Sequence, residues 1–185
     1  MTKFGIGQGV PRWEDPRLLR GGGRYSDDLS RPGQAYGCVV RSPHAKAKIK
    51  SIDAAGALAA PGVLAVYTSA DIEAAGYGPL PCLITRQRAD GSDMYAPPNY
   101  PLRRDMVQYV GDYVAFVVAE SHVQARDAAE LVEIDYEALP SVTATADVLL
   151  ESAPKVWDGA SDNVCFVHEE GNLEAVDASL APPIM

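Results

Sequence analysis

Cysteine is scarce in this sequence, and what there is stands apart, as Cys38, Cys82 and Cys165. An odd number at such spacings closes no disulfide framework, and without a Cys-x-x-Cys pair there is no metal knuckle. Each thiol reads as a small buried hydrophobe, and the set suits a reducing, cytoplasmic compartment. Histidine is equally thin: His44, His122 and His168 are isolated in sequence, with no His-x-x-x-His spacing for zinc. A nucleophile elbow and a P-loop are also missing. Positive charge is in deficit, since 16 Lys and Arg against 25 Asp and Glu leave a net charge of −9. Phosphate backbones and anionic lipid surfaces need clustered cations, so nucleic acid and membrane are not expected partners. No apolar run approaches the ~20 residues of a membrane span. The leading MTKFGIGQGVPRWED lacks an apolar h-region, so no signal peptide is expected.

The best-organised stretch covers residues 106–140 and predicts strand, tight turn, strand, helix, strand. Val107, Gln108, Tyr109 and Val110 alternate, Gly111 and Asp112 punctuate, and Tyr113–Ala119 is a nearly unbroken apolar run, the mark of a strand buried on both faces. Ser121 and Gln124 stand in capping-box spacing, with the hydroxyl accepting from the third amide and the glutamine reaching back. Behind them Ala125, Ala128, Ala129 and Val132 recur at i, i+3, i+4 and i+7, a narrow stripe that lets a helix lie close on a sheet. From Val132 the period becomes two, placing Ile134 and Tyr136 inside and Glu133, Asp135 and Glu137 on a wet acidic face.

Ahead of this unit, residues 1–33 read as an extended arm rich in Gly, Pro and charge. Residues 34–41 predict a strand, Ser42-Pro43-His44 a turn, and residues 45–53 a second strand whose Lys46, Lys48 and Lys50 face solvent. Asp53 caps a short alanine-rich helix ending before Pro61-Gly62, residues 63–67 form a strand, and Ser69 or Asp71 caps one helical turn before Gly76. Residues 76–101 hold five prolines and three glycines without periodicity, and predict the least ordered internal loop. Residues 147–151 predict a helical turn, 163–169 a last strand, and 171–179 a helix that barely forms before the sequence ends, as in a domain cut from a longer polypeptide.

Chemistry-bearing candidates are few. The glycines at 5, 7 and 9 and the run Arg20-Gly21-Gly22-Gly23-Arg24 could cradle phosphate, but neither follows a strand, and a loop needing positive φ is the better reading. His44 is a possible ligand or base without a partner, and a backbone hydrogen bond at the turn suits it better. Glu133, Asp135 and Glu137 share a face that could hold a hard cation or simply face water. No residue is assigned a catalytic, cofactor-binding or metal-ligating role.

One resemblance does emerge. Arg12-Trp13-Glu14-Asp15-Pro16-Arg17-Leu18-Leu19, Gly23-Arg24-Tyr25-Ser26-Asp27-Asp28, Val40-Arg41-Ser42-Pro43-His44-Ala45, Ser51-Ile52-Asp53, Pro61-Gly62-Val63, Tyr109-Val110-Gly111-Asp112, Val117-Val118-Ala119-Glu120 and residues 128–140 occur in one order. Together they resemble the N-terminal part of molybdopterin-binding large subunits of the xanthine dehydrogenase, aldehyde oxidase and aerobic carbon monoxide dehydrogenase family. The resemblance implies an α+β fold, the α/β-hammerhead, with helices packed on a mixed β-sheet over residues 34–150 and a tail at 151–185 leading toward a molybdopterin-binding domain. It implies molybdenum–molybdopterin, 2Fe-2S clusters and FAD in the complete enzyme, and none of their binding motifs here. The Gly-Gly-Gly-Phe-Gly loop and the late catalytic glutamate of the family have no counterpart in this sequence. Tyr113 stands where the family most often has proline, and residues 181–185 do not resemble the family's continuation. The expected role is structural, packing against the remaining molybdopterin-binding domains and the iron–sulfur and FAD subunits. The alternative is a free-standing, non-catalytic binding or assembly protein. Apolar residues outside any periodic element (Phe4, Ile6, Val10, Trp13, Leu180, Pro182, Pro183 and Ile184) suggest a homodimer.

Overall fold

A computed structural model describes residues 7, 9, 11–168 and 170–180, and divides the chain into two units, Met1–Gln34 and Ala35–Met185. The first unit is not wholly extended. Pro16 opens a single turn, α1 (Asp15–Leu18), at a position where its missing amide costs nothing. The Asp15 carboxylate accepts the Arg12 amide at 3.1 Å. Gly21 closes the turn at φ +72°, and the Gly22 amide donates to the Arg17 carbonyl. The run at Gly21 is thus a helix terminator. Gly5 lies outside the described residues.

The second unit carries β1 (Tyr36–Arg41), β2 (Ala47–Asp53), α2 (Ala55–Leu58), β3 (Val63–Thr68), α3 (Ser69–Ala74), β4 (Met106–Val107), β5 (Tyr113–Ala119), α4 (His122–Ala129), β6 (Glu133–Ala138) and α5 (Leu173–Leu180). The α+β class holds, but the mixed sheet does not. The described residues form two three-stranded sheets, ordered β1-β5-β3 and β4-β2-β6, and every pairing in them is antiparallel. As its apolar run predicts, β5 is central in its sheet. Ala115 and Val117 are fully buried against Ala57, Ala128 and Val132, each Val contributing on the order of 1.5–3 kcal/mol. Val114 joins Ala47 and Val107 in a second cluster shared with Ile49, Ile134 and Tyr136 of the other sheet. The small stripe of α4 is what allows this closeness, since Ala125 and Ala128 are buried without residue.

Several expectations need correction, each for a local reason. The strand at 107–110 stops after Val107, because the Asp112 carboxylate takes the Gln108 amide at 3.0 Å and the chain turns. Residues 163–168 form no strand; Asn163 captures the neighbouring backbone with its side chain instead, accepting the Val156 amide and donating to the carbonyls of Val148 and Pro154. Lys46 does not face solvent: its Nζ is buried, 2.8 Å from Asp158 Oδ1 and 2.7 Å from the Lys155 carbonyl. Helix α3 is capped by Thr68, with Asp71 reaching back to its amide and hydroxyl. At α4 the Ser121 hydroxyl accepts the Gln124 amide, but the Gln124 side chain accepts from that hydroxyl rather than from the backbone.

Candidate functional site

The densest polar constellation lies where the 103–112 segment meets the turn at Ser42. Leu102, Arg103 and Asp112 are all buried, and the Arg103 Nε–Asp112 Oδ1 distance is 2.6 Å. The fold forces this pair inward: the Arg103 amide donates to the Tyr113 carbonyl at the start of β5, the Ser42 amide to the Asp112 carbonyl, and the Gly111 amide to the Ser42 carbonyl. Gly111 takes φ +91° to make the crossing. The Arg103 guanidinium also lies 5.8 Å from the Tyr109 ring and 5.6 Å from the Trp157 ring, within cation–π range.

Beside the pair, the His44 amide donates to the Ser42 hydroxyl, and the His44 ring meets Tyr136 edge-on at 4.9 Å. The His44 backbone makes the turn as expected, while its ring packs. Burial pushes the Tyr136 phenol above its ordinary value; the Ser42 hydroxyl pulls it back and the Asp112 charge adds to the rise. The Tyr136 hydroxyl and Gln108 Oε1 are buried and complete no regular hydrogen bond. What this arrangement can do chemically is limited. Each charge is neutralised by the other, the serine hydroxyl is engaged by its own turn, and the phenol is held protonated. It is a clip that fixes the Tyr109-Val110 tip and the mouth of β5, with no nucleophile beside a base.

Other sequence candidates are dispersed. Lys48 and Lys50 of β2 face Glu137 and Asp135 of β6 at 4.0 and 3.8 Å, so the acidic face of β6 is matched by lysines rather than gathered around a cation. Among the described residues no three His, Cys, Asp or Glu side chains come together as a metal site. Cys38 is half-buried, and Cys82 and Cys165 are exposed, against the expectation that all three are interior. The 76–101 loop is partly tied down: Arg88 bonds the Asp162 carboxylate and the Val164 carbonyl, and a 210 Å³ cavity between Tyr95, Trp157, Val164 and Cys165 marks the junction. The Arg88 contact holds Asp162 below the ordinary carboxylate value. Sequence reading missed the Arg103–Asp112 and Lys46–Asp158 pairs, since an Asp after Gly reads as turn chemistry and a Lys in alternation reads as surface.

A model of the aldehyde oxidase and xanthine dehydrogenase a/b hammerhead domain matches residues 20–140. The nicotine 6-hydroxylase large subunit of Paenarthrobacter nicotinovorans is 44% identical over 142 residues, covering 77% of this chain and 17% of that protein. The carbon monoxide dehydrogenase large chain of Afipia carboxidovorans is 36% identical over 189 residues, covering 96% of this chain and 22% of that one. Among solved structures, quinoline 2-oxidoreductase from Pseudomonas putida 86 superposes with a TM-score of 0.75 at 36% identity, covering 98% of this chain and 22% of its counterpart. The chain therefore spans about a fifth of the length of these relatives.

Proposed function

The chain belongs to the aldehyde oxidase and xanthine dehydrogenase hammerhead-domain family of molybdenum hydroxylase large subunits, and we propose that it serves there as a packing module without chemistry of its own. In the complete enzyme, molybdenum–molybdopterin, 2Fe-2S clusters and FAD carry the reaction, on other domains and on iron–sulfur and FAD subunits. The observation that carries this reading is the mutual neutralisation of Arg103 and Asp112. The most buried charged pair among the described residues holds a turn, each partner's charge being taken up by the other.

Neither the Arg103–Asp112 clip nor the Arg88–Asp162 junction fits these cofactors. A pterin phosphate requires free cations or a row of free amides. Arg103 and Arg88 are engaged by carboxylates, and the Gly21 run ends α1. An iron–sulfur cluster takes four thiolates, and the chain has three cysteines, at 38, 82 and 165. The free thiols are the support for placing the protein in a reducing cytoplasm. Metal analysis and visible absorbance of the purified chain test the reading: a colourless protein without stoichiometric molybdenum, iron or flavin is expected. Molybdenum near one per chain in repeated preparations would overturn it.

A further inference from the structure

The two sheets differ in their outer faces. On β4-β2-β6 the outer face carries the cross-strand ion pairs Lys48–Glu137 and Lys50–Asp135, a charged surface suited to water. The helix α4 lies on one face of β1-β5-β3 and shows solvent its Arg126, Asp127 and Glu130. The other face of β1-β5-β3 is different. Val39, Phe116 and Tyr67 stand in one row across the three strands, by register. Together with Ile72 of α3, Pro101, Leu102 and Tyr113 they line an open groove of 250 Å³.

Its shape is fixed by sequence. A Cβ on Gly37 would overlap the Phe116 ring, so glycine at that strand position leaves the ring its place. At the far end Arg41 lies 4.4 Å over the Tyr113 ring while donating to the Gly111 carbonyl, which holds that aromatic against the sheet. Two rings remain substantially open, Tyr67 at 44% and Tyr113 at 41% exposure. Exposed aromatics on rigid strands are the residues that anchor interfaces, because little side-chain entropy is lost when they are covered.

We infer that the groove-bearing face of β1-β5-β3 is the surface on which the remaining four fifths or so of a large subunit docks, through an apolar segment of its own. This deepens the packing role proposed above and rests on it. Two observations select that occupant over a second copy of the chain. Relatives carry this segment as 17–22% of a longer polypeptide, so every copy of it comes with one copy of a far larger remainder to pack against. A second copy would bring another net charge of −9.

The test co-expresses the tagged 185-residue chain with the carbon monoxide dehydrogenase large chain of Afipia carboxidovorans from which its matched segment has been deleted. Copurification is read for the parent, for Tyr67→Glu/Tyr113→Glu, and for Lys48→Ala on the opposite sheet. Both tyrosines are at the surface and the new Glu at 113 faces Arg41, so the double variant is expected to keep the parent's circular dichroism and melting point. The parent and Lys48→Ala should recover the remainder in a 1:1 complex; the double variant should recover it with about tenfold or greater loss, the effect of removing two aromatic anchors. Equal recovery by the folded double variant overturns the assignment of the face and leaves the packing role standing. Failure of the folded parent to recover any remainder overturns both. Concentration-dependent dimers of the parent that the double variant abolishes would assign the face to a second copy and likewise overturn the proposal.

Discussion

Single residues in this chain carry structural weight where charge or backbone geometry leaves no alternative. Asp112 is the clearest case. Its carboxylate takes Arg103 Nε and the Gln108 amide in a site closed to water. Asp112→Ala would leave a buried guanidinium without a counter-charge, and a loss of about 3–5 kcal/mol in urea unfolding is expected. Replacing both partners, as Arg103→Met with Asp112→Leu, should cost far less, because the penalty arises from the unpaired charge. Equal losses for the single and double variants would show that the pair is not what matters. Gly62 is a second case. It holds φ +76° after Pro61, its carbonyl accepts the Glu120 amide at 2.9 Å, and a Cβ there would strike the Gln124 side chain. Gly62→Ala combines left-handed strain with that collision, so a loss of about 1–2 kcal/mol is expected, read as a lowered denaturation midpoint.

At the level of elements, legibility followed how local the determining interaction was. The buried run of β5, the alanine stripe of α4 and the alternation of β6 are periodic signals within a few residues, and the structure has all three. What periodicity could not express was partnership across the chain: Lys48 and Glu137, or Lys46 and Asp158, are neighbours only after folding. The Arg103–Asp112 clip was hidden for a further reason, since Gly111-Asp112 looked like ordinary turn punctuation. The cap of α3 gives an elemental prediction. Asp71 is held below the ordinary carboxylate value, chiefly by the Thr68 amide and then by its hydroxyl. A carboxylate with a lowered folded value contributes its stability above the unfolded value, and loses it as pH falls through the folded one. Asp71→Ala should therefore lower stability at neutral pH and shrink the loss on acidification; parallel curves for variant and parent would contradict the cap's role. Helix α5 differs from α4 in having no buried residue over its eight positions, with Leu173 and Leu180 open at 76% and 77%. A helix of this length without tertiary support is marginal in water, so its amides should exchange with little protection in the isolated chain.

In the Ala35–Met185 unit as a whole, stability divides between the sheets and the segment that follows them. The sheets are closed by ladder hydrogen bonds and two apolar clusters. Residues 154–165 have neither. They are held by side chains: Lys46 to Asp158 and the Lys155 carbonyl, Asn163 to the Val148 and Pro154 carbonyls, Arg88 to Asp162 and the Val164 carbonyl. Each such bond contributes only ~1 kcal/mol net, somewhat more where charge assists, and the segment should open without unfolding of the core. Lys46 is the contact that ties it directly to β2 territory, and Lys46→Met keeps the buried aliphatic stem while deleting both bonds. Native-state hydrogen exchange is the measurement. Protection across 154–165 should fall by about tenfold or more, corresponding to 1.4 kcal/mol, while Val114–Val118 of β5 keep their rates. A fall of equal size in both regions would mean that the segment and the sheets unfold as one unit. No fall in either would mean that Lys46 is not the pin.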